Sequence, residues 1–201
     1  MSEPLPQIIQ PDTDIELRRL AWSRYVPVNV RYLLIGEAPP AEGRYFYFKS
    51  STTNDHLFIQ TMRAIYRELE DADAKEIRLQ KGQLLERFKN DGFLLIDAVE
   101  KRIPTSMPER HRIKLIQASL PDLQKRISGL KGRFFSFAIK HSVYEALSPH
   151  NDGTLGILYN NPIPFPGNGH QVQFRDSLRR GISATRSTSM GEDLVITHLG
   201  D

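Results

Sequence analysis

The sequence predicts an α/β fold: a three-layer sandwich with a four-stranded, mostly parallel central sheet flanked by helices. Three observations predict it. Short apolar runs recur at residues 31–36, 93–98, 133–139 and 155–160. Amphipathic segments with helical spacing separate them, so successive strands are joined by crossovers, and crossovers make neighbouring strands parallel. Three of the four runs also end in chemically unusual loops, at the sheet edge where such folds bind ligands. At 201 residues the chain fits a single domain, 1–201, large enough to bury a core without covalent staples.

The elements follow in order. "DTDIELRRLAWSRYV" opens on capping Asp and Thr residues and continues with Ile15, Leu17, Leu20 and Ala21 at helical spacing. "VRYLLIG" is a buried strand ended by Gly36. "TTNDHLFIQTMRAIYRELED" reads as a capped helix with Leu57, Met62, Ile65 and Leu69 on one side. "AKEIRLQKGQLLERFKNDG" is a further helix, stopped by its Asn-Asp-Gly turn. "FLLIDAV" is the second strand, and "PERHRIKLIQASLPDLQKRISGLKG" is helical with a break at Pro121. "RFFSFAIK" is the third strand, "SVYEALS" a short helix, "LGILYNN" the fourth strand and "QVQFRDSLRRGI" the last helix. The tail after residue 182 carries no pattern that assigns it, and there is no internal repeat.

Composition removes several chemistries. The chain has no cysteine, which excludes disulfides, a thiol nucleophile, thiolate zinc sites and cysteine-held iron–sulfur clusters. His56, His111, His141, His150, His170 and His198 show no metal-ligand spacing, so neither a metal nor another cofactor is expected. No apolar run approaches the ~20 residues that span a bilayer, and the N-terminus lacks the order of a signal peptide. The expectation is a cytoplasmic protein with no membrane partner; the oligomeric state stays open, with a monomer as the simplest case. Phosphate-binding Gly-Lys-Ser/Thr loops, dinucleotide fingerprints and Gly-x-Ser-x-Gly elbows are absent.

Net charge is small, 27 − 24 = +3, but its distribution is uneven. The loop "VEKRIPTSMPERHRIK" holds Lys101, Arg102, Arg110, Arg112 and Lys114 against two acids. It reads either as a solvated loop or as a contact surface for a polyanion. The strand ends "GEAPPAEGRYFYF", "DAVEKRIP" and "NNPIPFPGNGHQ" gather Glu37, Asp97 and Asn161 with this loop at one edge of the sheet.

From Arg31 to Ile182 these residues resemble the uracil-DNA glycosylase superfamily. "LLIGEAPP" is similar to its Gly-Glu-Ala-Pro branch, "LLIDAVEKRIP" to its base-reading strand, and "NPIPFPGNG" to the second motif of its mismatch-specific Asn-Pro branch. The resemblance implies a glycosylase-like α/β fold and hydrolysis of the N-glycosidic bond of a flipped, damaged or deaminated base in single- or double-stranded DNA. It implies Glu37 and Asn161 as catalytic residues, with Glu37 orienting water and countering oxocarbenium charge. Phe46 would stack on the base and Asp97 would read its edge. Phe165 would act as a wedge in the duplex, while Lys101, Arg102, Arg110, Arg112, Gly167, Asn168 and His170 would contact the DNA.

Departures from the family pattern sharpen the expectation. The cluster-binding cysteines of the Gly-Glu-Ala-Pro branch are missing, Asp97 stands for an Asn, Ile163 for a Ser and Pro40 for a Gly. An ionised Asp97 only accepts hydrogen bonds, so it matches one donor of uracil and opposes its O4; adjacent N–H donors suit it better, and a protonated Asp97 regains a donor. The alternative is a catalytically silent member that binds nucleic acid or a nucleobase in the inherited pocket. Each residue also has a plainer role: Glu37 as a turn residue, Asp97 bound to backbone or to Lys101 or Arg102, Asn161 in an Asx turn, Phe165 as a local plug and Phe46 in the core.

Overall fold

A computed structural model of the chain describes residues 13–40, 45–49, 55–150 and 152–196. Strands β1 (Tyr32–Gly36), β2 (Phe93–Asp97), β3 (Phe135–Ala138) and β4 (Ile157–Leu158) form one sheet in the order β2-β1-β3-β4, with every pair parallel. Eight α-helices are seen among the described residues: α1 (Thr13–Ser23), α2 (His56–Ile65), α3 (Ala74–Leu79), α4 (Lys81–Asn90), α5 (Glu109–Ala118), α6 (Leu120–Ser128), α7 (His141–Leu147) and α8 (Gln171–Ile196). Helices flank the sheet, with α2 against α8 and α5 against α7. No helix among the described residues is long and apolar enough to cross a membrane.

The three expected strands at 31–36, 93–98 and 133–139 form within two residues of their expected ends. The fourth is cut to two residues, and its ladder explains why. Tyr159 N still donates to Ser136 O, but the next contact is Ile163 N to Ala138 O, answered by Lys140 N to Ile163 O. Between those points β3 advances three residues, 136 to 139, while its neighbour advances five, 158 to 163. Two residues are therefore extruded, around Pro162, which has no N–H to give the ladder. Ile163 returns to the sheet fully buried, as a core residue.

Three helix expectations change and one holds. The helix expected across 74–92 is two, divided at Gln80. The division starts α4 at Lys81, whose ammonium is buried against Asp55. The expected break at Pro121 is present: α5 ends at Ala118 and α6 begins at Leu120, with Pro121 in its first turn, where a missing N–H is harmless. The last helix runs on to Ile196 rather than ending at 182. On α1 the inward residues are Ile15, Arg18, Ala21 and Trp22, while Leu17 and Leu20 are more than half exposed.

Leu33, Leu34 and Ile35 of β1 are completely buried between the helical layers, each contributing about 1.5–3 kcal/mol of burial. The aromatic block after β1 joins this core: Tyr45, Phe46 and Tyr47 are all under 9% exposed. Tyr47 secures the outer side of β2, accepting from Leu95 N at 2.7 Å and donating to Leu95 O at 2.9 Å. Trp22 Nε1 donates to the same carbonyl at 3.1 Å.

From β1 the chain winds one way to β2 and the other way to β3 and β4. Connections leaving β1 and β3 diverge, which opens a crevice at the carboxyl ends of the strands.

Candidate functional site

A cleft of about 850 Å³ occupies that crevice, a volume typical of small-molecule sites. Glu37, the first residue beyond β1, is buried in its wall and anchors it. Ser142 Oγ donates to Glu37 Oε1 at 2.7 Å, while Arg112 Nη1 and Lys140 Nζ donate to Oε2 at 2.7 and 2.6 Å. Burial alone would raise the Glu37 pKa. The hydrogen bonds from Lys140 and Ser142 and the charges of Lys140 and Arg112 outweigh it, and hold the carboxyl below its ordinary range.

Two local features make this cluster possible. Lys140 lies two residues beyond β3 with φ +87°, a left-handed conformation that costs a side-chain-bearing residue energy. In that conformation its amide reaches Ile163 O while its ammonium reaches Glu37. Arg112, near the start of α5, also donates to the carbonyls of Met107, Pro104 and Thr105 at 2.7, 2.7 and 2.9 Å. One guanidinium thus organises the loop after β2 and ties it to the end of β1.

Asp97 ends β2 beside Gly36, on the strand next to β1, and also lines the cleft. Its carbonyl accepts from Arg126 Nη1 at 2.9 Å, but among the described residues nothing donates to its carboxylate. Burial pushes its pKa up to about 7, against the opposing charges of Arg126 and Arg18. Close approach of this side chain also explains Gly36: a Cβ there would lie 2.6 Å from Asp97 Oδ1.

The sequence-expected residues separate into two groups. Glu37, Asp97, Phe46, Arg102, Arg112 and Phe165 all line the cleft. Phe46 is chiefly core, its ring centroid 5.5 Å from those of both Phe58 and Phe88. Phe165 is 40% exposed, with Lys140 Nζ 5.4 Å from its ring centroid. Lys101, Arg110, Asn161, Gly167, Asn168 and His170 stand apart from this lining. Asn161 is exposed on the extruded turn, where its Nδ2 donates to Asn160 Oδ1 at 2.8 Å. Its distance from the cleft follows from the return of Ile163 to the ladder. His170 Nδ1 pairs with Gln173 Oε1 at 2.8 Å in the turn before α8, beside Asn168 at φ +50°.

Sequence reasoning missed Lys140, Ser142 and the Asp55–Lys81 pair. Asp55 precedes α2 but does not cap it; its Oδ2 lies 2.5 Å from Lys81 Nζ, with both side chains under 5% exposed. Phe58 lies beneath that ammonium at 4.7 Å, and burial lowers the Lys81 pKa. A lysine directly after the apolar run "FFSFAI" was the available signal for Lys140. Lys81 gave none, because a lysine in a polar helix reads as solvated.

Chemically, the cleft offers two carboxylates paired with cations, Glu37 and Asp55, and one carboxyl, Asp97, that titrates near neutrality and accepts no hydrogen bond among the described residues. An ammonium and an exposed aromatic ring stand at its rim. Among the described residues no group of three or more His, Cys, Asp or Glu side chains is placed to hold a metal ion. Comparisons with protein-family models, with curated proteins and with solved structures find no match.

Proposed function

We propose that this chain is a DNA glycosylase-like protein, which takes a base swung out of a DNA strand into the strand-edge cleft and hydrolyses its N-glycosidic bond. The observation that carries this reading is the Asp97 carboxyl in the cleft wall, which accepts no hydrogen bond among the described residues and titrates near pH 7. A general acid or base works best with a pKa near the working pH. In the hydrolysis a water oxygen bonds to C1′ and the C1′–N bond breaks, its electron pair leaving on the base. Ionised Asp97 accepts the water's proton, and Lys140 supplies positive potential for the departing anion. Glu37 acts through Lys140 and Arg112, as a positioning residue. Arg102 at the rim, with exposed Lys101 and Arg110, holds phosphates of the strand. The cysteine-free chain suits a reducing, cytoplasmic setting.

One observation favours the alternative of a silent, base-binding protein. Three donors already occupy the Glu37 carboxylate, so it is not available to activate water. Excision assays on a panel of lesion-containing oligonucleotides, single- and double-stranded, separate the readings. Wild type should release at least one base, and Asp97→Asn should slow that release. Saturable binding without release selects the silent alternative. Neither binding nor release by folded protein rejects both.

A further inference from the structure

Behind the cleft wall lies a second cavity of about 250 Å³, between the inward face of α1 and the outer edge of β2. Pro39, Tyr45 and Asp97 line both spaces, so an occupant of the smaller one would rest against the back of the cleft. Its walls are mainly apolar, with Trp22, Tyr45 and Ile96 forming flat surfaces.

Three guanidiniums break this apolar lining; Arg19 is bonded to a carboxylate, whereas Arg18 and Arg126 are hydrogen-bonded to none among the described residues. Arg126 donates to the carbonyls of Asp97 and Ala98 at 2.9 and 3.1 Å, while its buried Nε has no partner among the described residues. Arg18 is 12% exposed; it donates to Glu100 O at 3.3 Å, and its nearest carboxylate, on Asp14, is 3.8 Å away. Glu100 itself is taken by Arg19, through Nε and Nη2 at 2.8 and 2.5 Å. Asp97 and Glu100 also line the cavity and offset part of this charge without bonding to either guanidinium, and an anion delivered between Arg18 and Arg126 would recover the remaining cost of burying them.

We propose that this cavity is a second ligand site, for a small flat apolar molecule carrying one carboxylate. The carboxylate meets Arg18 and Arg126, and the apolar body lies along Trp22 and Tyr45. A ligand of this size binds with a dissociation constant on the order of 1 mM or tighter. The site goes beyond the glycosylase reading and does not depend on it.

Trp22 is the only tryptophan of the chain, so its indole N–H gives a single NMR signal from inside this cavity. The test is a titration of the full chain with benzoate, and in parallel with its neutral analogue benzamide. Benzoate should move the Trp22 indole signal saturably, at least tenfold more tightly than benzamide. The amide signals of Lys140 and Arg112, in the large cleft, should stay in place. Arg18→Gln, with an unchanged melting temperature, should remove the preference for benzoate. Equal affinity for the two compounds, no saturable shift, or movement of the cleft signals instead would each overturn the proposal. The comparison of compounds in wild type holds even if the variant is unstable. Loss of glycosylase activity as a working hypothesis leaves every one of these readouts unaffected.

Discussion

Lys140 Nζ lies 2.6 Å from Glu37 Oε2, and this ion pair joins the ends of β3 and β1 across the point where the sheet reverses its winding. Ser142 and Arg112 converge on the same carboxylate, so one side chain fastens β1 to α5 and α7. Glu37→Gln leaves two cations without their counter-charge. It is expected to destabilise the fold by roughly 3 kcal/mol, at the low end for a broken buried pair because Lys140 is partly exposed. Denaturant unfolding of the variant measures this. Because the Glu37 pKa is depressed, its contribution is present above its unfolded pKa and is lost as pH falls through the folded one. The wild-type advantage over Glu37→Gln should therefore vanish in acid.

Asp97 shows the opposite linkage. Its pKa rises to about 7 in the folded protein, so the native state holds a proton that the unfolded chain releases between about pH 4 and 7. Stability should fall as pH rises through that window. Asp97→Asn, which has nothing to ionise, should become the more stable protein above pH 7, by roughly 1–3 kcal/mol after allowance for solvent in the cleft. Melting temperatures of both proteins from pH 4 to 8 check the sign.

The same titration governs excision on the glycosylase reading. Only ionised Asp97 accepts the water's proton, so the rate should rise with pH through about 7 and level off above it. Excision should be roughly tenfold faster at pH 8.5 than at pH 6, the ratio of ionised fractions for such a group. Asp97→Asn should be slow throughout and show no such rise. A wild-type excision rate independent of pH would show that Asp97 is not the base.

Arg110 and Arg112 are two residues apart and should behave differently. Arg110 is exposed, whereas Arg112 is committed to Glu37 and three loop carbonyls. Arg110→Glu should leave stability within about 0.5 kcal/mol and, on the glycosylase reading, weaken DNA binding for all sequences alike and flatten its salt dependence. Arg112→Ala should cost several times more stability, roughly 3 kcal/mol, because it frees the loop after β2 and leaves Glu37 short of a partner. Fluorescence anisotropy at three salt concentrations, beside thermal melts, separates the two effects.

Much of this fold was legible because apolar periodicity reports burial directly. "YLLIG" and "FLLID" read as buried strands, and they are. The short fourth strand was less legible, since nothing in "LGILYNNPI" says that Ile163 rather than Asn160 continues the ladder. That detail moved Asn161 out of the cleft. Glu37 and Asp97 could be placed because each directly ends a strand, and strand ends converge in a parallel sheet. Lys140, Ser142 and Lys81 depend on partners far away in the chain; Lys140 is 103 residues from Glu37. Local sequence carries no trace of such a pairing. Arg112 was illegible in the basic loop for the same reason: charge alone does not distinguish an arginine facing water from one already enclosed by its own backbone.

The bonds on the outer side of β2 have a consequence for association. An outermost strand ordinarily offers unpaired amides and carbonyls to any other chain that can add a strand. Here the Leu95 amide and carbonyl are held by the Tyr47 hydroxyl, Trp22 shares that carbonyl, and Arg126 covers the carbonyl of Asp97. An incoming strand would have to displace side chains from three separate parts of the chain before forming its first rung. The protein closes this border of its sheet with side chains instead of backbone, which blocks cross-chain β-aggregation there without adding a fifth strand.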